Sequence, residues 1–165
     1  MRKLGVIGGM SWVSTRTYYD ELNRLVQRRT DKRHSAPLLI ESLDFAQIYP
    51  LHHDEGWARA AEVLSQSART LEAAGAGALV IAANSMHKVY DQVAGAVSIP
   101  IIHIAEAVGE RMASDGIKTA ALLGTRNVMT ESFYRRRLVA HGVDLLPPDM
   151  GNVEALDRII YEELM

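Results

Sequence analysis

Apolar positions along this chain fall into short continuous runs that alternate with longer stretches of helical spacing. Residues 4–7 form a first run, closed by Gly8-Gly9, which predicts a buried strand and a tight turn. Tyr18, Leu22, Leu25 and Val26 then recur at helical spacing, with Asp20, Glu21, Arg24 and Arg28 on other faces; Ser14 or Thr15 is placed to cap that helix. The polar stretch 29–35 ends it. Pro37 opens a second strand over 38–43, apolar enough at its start for burial on both faces. Residues 44–55 read as a loop rich in turn formers and histidine. Trp57, Ala61, Leu64, Ala68 and Leu71 form a second amphipathic stripe that stops near Gly75 and Gly77.

A third strand, 78–81, runs out into the polar elbow Ala82-Ala83-Asn84-Ser85, followed by a helix over 86–93. Residues 98–104 predict a fourth strand with Pro100 near its start, and 105–113 a helix punctuated by Asp115-Gly116. Residues 119–123 make a fifth strand leading into Gly124-Thr125, and 128–141 a helix with Phe133, Tyr134 and Leu138 inward and Gly142 at its C′ position. A short strand over 143–146 is ended by Pro147-Pro148. Val153, Leu156, Ile160 and Leu164 mark a last helix.

Strict alternation of strand and helix argues for an α/β fold, with parallel sheets, flanking helices and right-handed crossovers. The expected division is a first α/β domain over 1–115 and part of a second over 116–165. In such folds the ends of parallel strands lie along one edge, where ligands meet the sheet.

Composition narrows the chemistry. A net charge of −2 gives no electrostatic case for nucleic acid or an anionic membrane surface. No stretch is long enough to span a bilayer and the N-terminal apolar run is too short for a secretory signal, so the cytoplasm is the default location. The absence of cysteine excludes a disulfide framework and thiolate metal sites. His52-His53-Asp54-Glu55 resembles a metal cluster only in composition, since adjacent side chains in a loop diverge; a surface loop is expected, and no metal. Arg135-Arg136-Arg137 reads as a solvated helix face.

Three elbows remain. Gly8-Gly9-Met10-Ser11 lacks the spacing of the dinucleotide fingerprint, so a nucleotide-binding domain is the weaker reading of it. The glycines instead let backbone approach a small anion near a helix start, against the plainer reading of a tight turn. Asn84-Ser85 and Thr125 each follow a strand, where small polar side chains either hold a carboxylate or simply cap a helix. Met10, Ser11, Asn84, Ser85 and Thr125 are therefore the candidate substrate-binding residues, with Gln47 added as a neutral donor on the loop after the second strand. His87 is a candidate acid or base, or a buried hydrogen-bonding residue.

These motifs resemble a known family. Ile7-Gly8-Gly9-Met10-Ser11-Trp12-Val13-Ser14-Thr15 with Tyr18-Tyr19 is similar to the N-terminal signature of the aspartate/glutamate racemases. Asn84-Ser85-Met86-His87-Lys88, Leu122-Leu123-Gly124-Thr125, Phe133-Tyr134 and Ile159-Ile160-Tyr161-Glu162-Glu163-Leu164 resemble its broad-specificity amino-acid racemases. His34-Ser35-Ala36 and Ser42-Leu43-Asp44-Phe45 agree, so the resemblance covers essentially the whole chain.

The resemblance implies two similar α/β domains facing each other across a cleft, and racemisation without pyridoxal phosphate or any other cofactor. It implies an amino acid or small carboxylate as ligand and a homo-oligomer, a dimer. In the family one cysteine takes the α-proton from one face of the amino acid and a second returns a proton to the other. A thiol with a pKa of about 8.5 is readily tuned for that exchange. Hydrogen bonds to the substrate carboxylate stabilise the carbanion-like transition state.

Alignment on Asn84-Ser85-Met86-His87-Lys88 puts Ala82 in the place of the first cysteine, with Ala83 the nearest alternative. The second belongs to a Gly-Cys-Thr-Glu stretch expected beyond Met165. Three readings stay open: a shortened or altered racemase, a relative that binds without turnover, or a chain in which another group, His87 being nearest, carries one proton. With only two short strands in its second domain, the chain is expected to be poorly stable alone or to cover that edge with a partner subunit.

Overall fold

The computed structural model describes residues 2–52 and 56–164. Two compact units divide between Ile102 and His103.

In the first unit the run ahead of Gly8 is β1 (Lys3–Gly8), followed by α1 (Trp12–Arg29) and β2 (Leu38–Ser42). The stretch expected as a loop contains α2 (Phe45–Ile48), capped by the Asp44 carboxylate on the Ala46 amide, and a 3-10 turn over Tyr49–His52. Residues 53–55 of the His52-His53-Asp54-Glu55 cluster lie outside the described residues. Then come α3 (Trp57–Ala73), β3 (Ala76–Ile81), a 3-10 turn over Ser85–Val89, α4 (Tyr90–Ala94) and β4 (Ile101–Ile102).

The four strands are parallel and ordered β2-β1-β3-β4. β1 is buried from Gly5 onward, as the inner strand of a covered parallel sheet should be. Pleating separates the faces of edge strand β2: Leu38 lines a cavity with Leu22 and Val26 of α1, whereas Leu39 and Leu43 pack on the cluster that holds Leu64 and Ala68 of α3. Helices α1 and α3 therefore cover opposite faces. Ile7, Leu64, Leu79, Ile81 and Met86 are fully buried at the centre of this core.

The second unit contains α5 (Ile104–Ser114), β5 (Thr119–Ala120), α6 (Arg126–Thr130), α7 (Ser132–Ala140), β6 (Asp144–Leu145) and α8 (Val153–Glu162). Strands β5 and β6 pair in parallel as a sheet of two.

Several expected boundaries shift for local reasons. The fourth strand shrinks from 98–104 to two residues: Pro100 has no amide to donate, and His103 already turns the chain by accepting the Ala105 amide on Nδ1 at 3.1 Å. The helix expected over 128–141 is two helices, because Glu131 is extended (φ −92, ψ 158) and both ends α6 and starts α7. The division between units falls one helix earlier than 115/116. Ala105 is wholly buried with Phe133, Tyr134 and Leu138, and Gly109 admits the His141 ring where a Cβ would collide with it, so α5 belongs to the second core. Gly142 (φ +79) stands at the C′ position after α7, as expected.

Among the described residues no helix is long and apolar enough to cross a membrane, and no group of His, Asp and Glu is arranged to hold a metal ion.

Candidate functional site

The strand order creates one special place in the first sheet. α1 carries the chain from β1 outward to β2, and α3 returns it past β1 to β3. The connections therefore diverge at the carboxyl ends of β1 and β3, which leaves a crevice where α/β proteins bind ligands. Ile7 pairs with Ile81, and the Ala82 amide continues the ladder by donating to the Ile7 carbonyl at 2.9 Å. The turns 9–11 and 82–85 thus flank the crevice side by side.

The first turn is closed by its own hydrogen bonds. Gly9 adopts φ +83 and lies so close to the Leu43 backbone that a Cβ would overlap it, which is why glycine stands there. Its amide donates to Thr15 Oγ1 at 2.8 Å, and that hydroxyl donates to the Ser11 carbonyl at 3.3 Å. Ser11 Oγ accepts the Val13 amide at 3.2 Å and caps α1; Ser14 and Thr15 do not take that role. The Met10 side chain is a buried member of the first core, and the Met10–Ser11 peptide is cis.

The second turn is differently equipped. Ala82 is 2 % exposed, its methyl group at the very end of β3. Asn84 is exposed, and its side-chain amide makes no hydrogen bond among the described residues. Ser85 is 7 % exposed and opens the 3-10 turn. His87 is buried, its Nδ1 at 2.9 Å from the Ala83 carbonyl and its ring parallel to Tyr90 at 6.3 Å. That places it as an anchor of the turn.

Gln47 follows β2, whose exit lies against the first turn through the Leu43 amide on the Gly8 carbonyl at 3.0 Å. It is exposed on α2, with Nε2 3.4 Å from Asp44 Oδ2, and lines a cavity of about 230 Å³ with Arg59 and Val63 that none of residues 10, 11, 84 and 85 lines. Thr125 belongs to the second unit. It precedes α6 with extended backbone and leaves its hydroxyl buried, with neither a capping bond nor, among the described residues, another hydrogen-bond partner.

The arginine run differs from the solvated face expected for it. Arg135 donates to the carbonyls of Leu145 and Leu146 at 3.0 and 3.1 Å, at the exit of β6. Arg137 donates to Glu106 Oε1 at 2.7 Å, while His141 Nε2 meets Oε2 at 2.6 Å. Only Arg136 of the three is exposed. The hydrogen bonds from Arg137 and His141 hold the Glu106 carboxyl below its ordinary range. Nothing in the sequence signalled this cluster, since Glu106 lies 31 residues from Arg137.

Comparison with known proteins agrees with this architecture. A crystal structure from Yersinia pestis, of a protein assigned as an Asp/Glu racemase, superposes with a TM-score of 0.90 at 44% identity, over 99% of this chain and 72% of that one. An aspartate racemase homologue from Pyrococcus horikoshii gives 0.82 at 36% identity, with the same coverage. The broad-specificity amino-acid racemase RacX of Bacillus subtilis is 23% identical over 184 residues, 98% of this chain and 79% of that protein. The profile of one family matches residues 7–164, and on that evidence the chain belongs to the Asp/Glu/hydantoin racemases.

Proposed function

We propose that this chain holds a small amino acid at the crevice between β1 and β3, in the manner of a cofactor-independent amino-acid racemase, but does not invert it. The observation that carries the reading is Ala82, buried at the end of β3 beside the turn that leaves β1. In this reading the side chain at that position is the one that would exchange the α-proton, and a methyl can neither take nor return a proton. His87 is a poor substitute, because it is a single group buried in the turn, and one base on one face of an amino acid exchanges the α-proton but inverts poorly.

Binding needs less than turnover. The exposed amide of Asn84 and the hydroxyl of Ser85 offer donors to a carboxylate at the start of the helical turn that follows β3. Those hydrogen bonds are the ones a racemase uses to stabilise the carbanion-like transition state; without a base they stabilise only the bound ground state.

Solvent deuterium exchange at the α-carbon tests the reading, with aspartate and glutamate of both hands. The chain as it stands is expected to bind without exchange, and the Ala82→Cys variant to exchange the α-hydrogen of one enantiomer. Exchange by the unaltered chain would overturn the binding-only reading; absence of amino-acid binding would overturn the site.

A further inference from the structure

A second cavity opens at the opposite edge of the first sheet, between the last turns of α1 and the starts of β1 and β2. Its volume is about 350 Å³, at the low end of the ~300–1,000 Å³ of ligand pockets. Leu4, Leu22, Leu25, Val26 and Leu38 give it an apolar lining, and Leu25 is 41% exposed beside it.

The cavity is fixed in place. Asn23 Oδ1 accepts the Ala36 amide at 2.9 Å, Pro37 O accepts the Leu4 amide at 3.0 Å, and Thr30 binds the Val26 carbonyl through both its amide and its hydroxyl. These bonds pin the returning loop to α1 and to β1, so the space between helix and sheet does not depend on side-chain packing alone.

Charge selects the occupant. Arg2 and Arg29 both line the cavity and both are exposed, and neither has an ion pair among the described residues. Other arginines of α1 are engaged: Arg24 with Asp20 and Glu21, and Arg28 with Glu21. No carboxylate lines the cavity. The carbonyl end of α1 disfavours an anion, so the headgroup must sit between the two guanidiniums.

We propose that this cavity binds a free medium-chain aliphatic carboxylate, with its chain among Leu4, Leu22 and Leu38 and its headgroup shared by Arg2 and Arg29. The site is independent of the crevice between β1 and β3 and of the reading given to it.

Methyl and amide NMR titration of the full chain with sodium octanoate tests this. Saturable shifts are expected at Leu4, Leu22 and Leu38, unchanged by excess glutamate, with the Ala82 methyl unmoved. Butyrate and octylammonium are expected to bind about tenfold or more weakly, the one losing apolar contact and the other meeting like charge. Arg29→Gln and Arg2→Gln, each checked for unchanged circular dichroism, are each expected to weaken octanoate by about tenfold. Shifts that do not saturate, shifts centred on the crevice, equal binding of octylammonium, or unweakened binding by both variants would overturn the proposal.

Discussion

The amide of Ala82 donates to the carbonyl of Ile7 at 2.9 Å, which carries the β1–β3 ladder one residue beyond the last paired strand position. The methyl of Ala82 is therefore held in register with the turn at Gly8, and any side chain substituted there starts from a fixed backbone.

For that reason Ala82→Cys is expected to fold. One added sulfur at a position 2 % exposed is a small overpacking, with a destabilisation of about 1–3 kcal/mol at most. Urea unfolding of the variant measures it; a loss well beyond that range would mean that the slot has closed over the methyl.

Asn84 and Ser11 should separate binding from stability. Asn84→Ala removes an exposed side-chain amide that makes no hydrogen bond among the described residues, so its unfolding free energy should stay within about 0.5 kcal/mol of the parent while amino-acid affinity falls. Ser11→Ala removes the cap of α1 and should cost about 1 kcal/mol in the same urea titration. Calorimetric binding of glutamate by the two variants completes the comparison; unimpaired binding by Asn84→Ala would remove it from the site.

Gly9→Ala is expected to be among the most damaging single substitutions. The new Cβ would be forced into φ +83 and into the Leu43 backbone, and strain at a positive φ alone is worth about 1–3 kcal/mol. A melting temperature equal to the parent's would show that the turn can move away from β2.

The Glu106 cluster gives the second unit an acid limb. Bonds from Arg137 and His141 depress the folded pKa of Glu106 below the ordinary 4.5. Its contribution is thus fully present above that ordinary value and is lost as pH falls through the depressed one. Glu106 is about a third exposed, so salt should shrink the effect. Thermal unfolding followed between neutral pH and pH ~3 should show a steeper fall for the parent than for Glu106→Gln; parallel curves would remove Glu106 from the account.

What the sequence made legible follows from local physics. Continuous apolar runs and helical stripes are periodic signals, and every strand and major helix they predicted is present in some form. Capping was less legible, because Ser11, Ser14 and Thr15 are chemically equivalent in sequence; only the close approach of Gly9 assigns Thr15 to the turn and Ser11 to the cap. The shortening of β4 depended on His103 acting as a cap acceptor, a role that composition does not announce. The arginine run was misread because its partners are far away in sequence: carbonyls after β6 for Arg135, and a carboxylate on α5 for Arg137. The positions of the turns that follow β1 and β3 were legible from strand–elbow spacing. Gln47 was chosen as a neutral donor on the stretch after the second strand, a stretch that the structure shows to contain α2.

The ring of bonds from Gly9 through Thr15 to Ser11 has a consequence for how such chains diverge. One wall of the crevice spends its Gly9 amide internally, so substitutions there are paid in stability. The opposite wall, at Ala82 to Ser85, presents an exposed amide and a methyl with no structural bond to lose. Descendants of this chain could therefore retune which molecule they hold by changes on the β3 side alone, while the glycine turn is inherited unaltered.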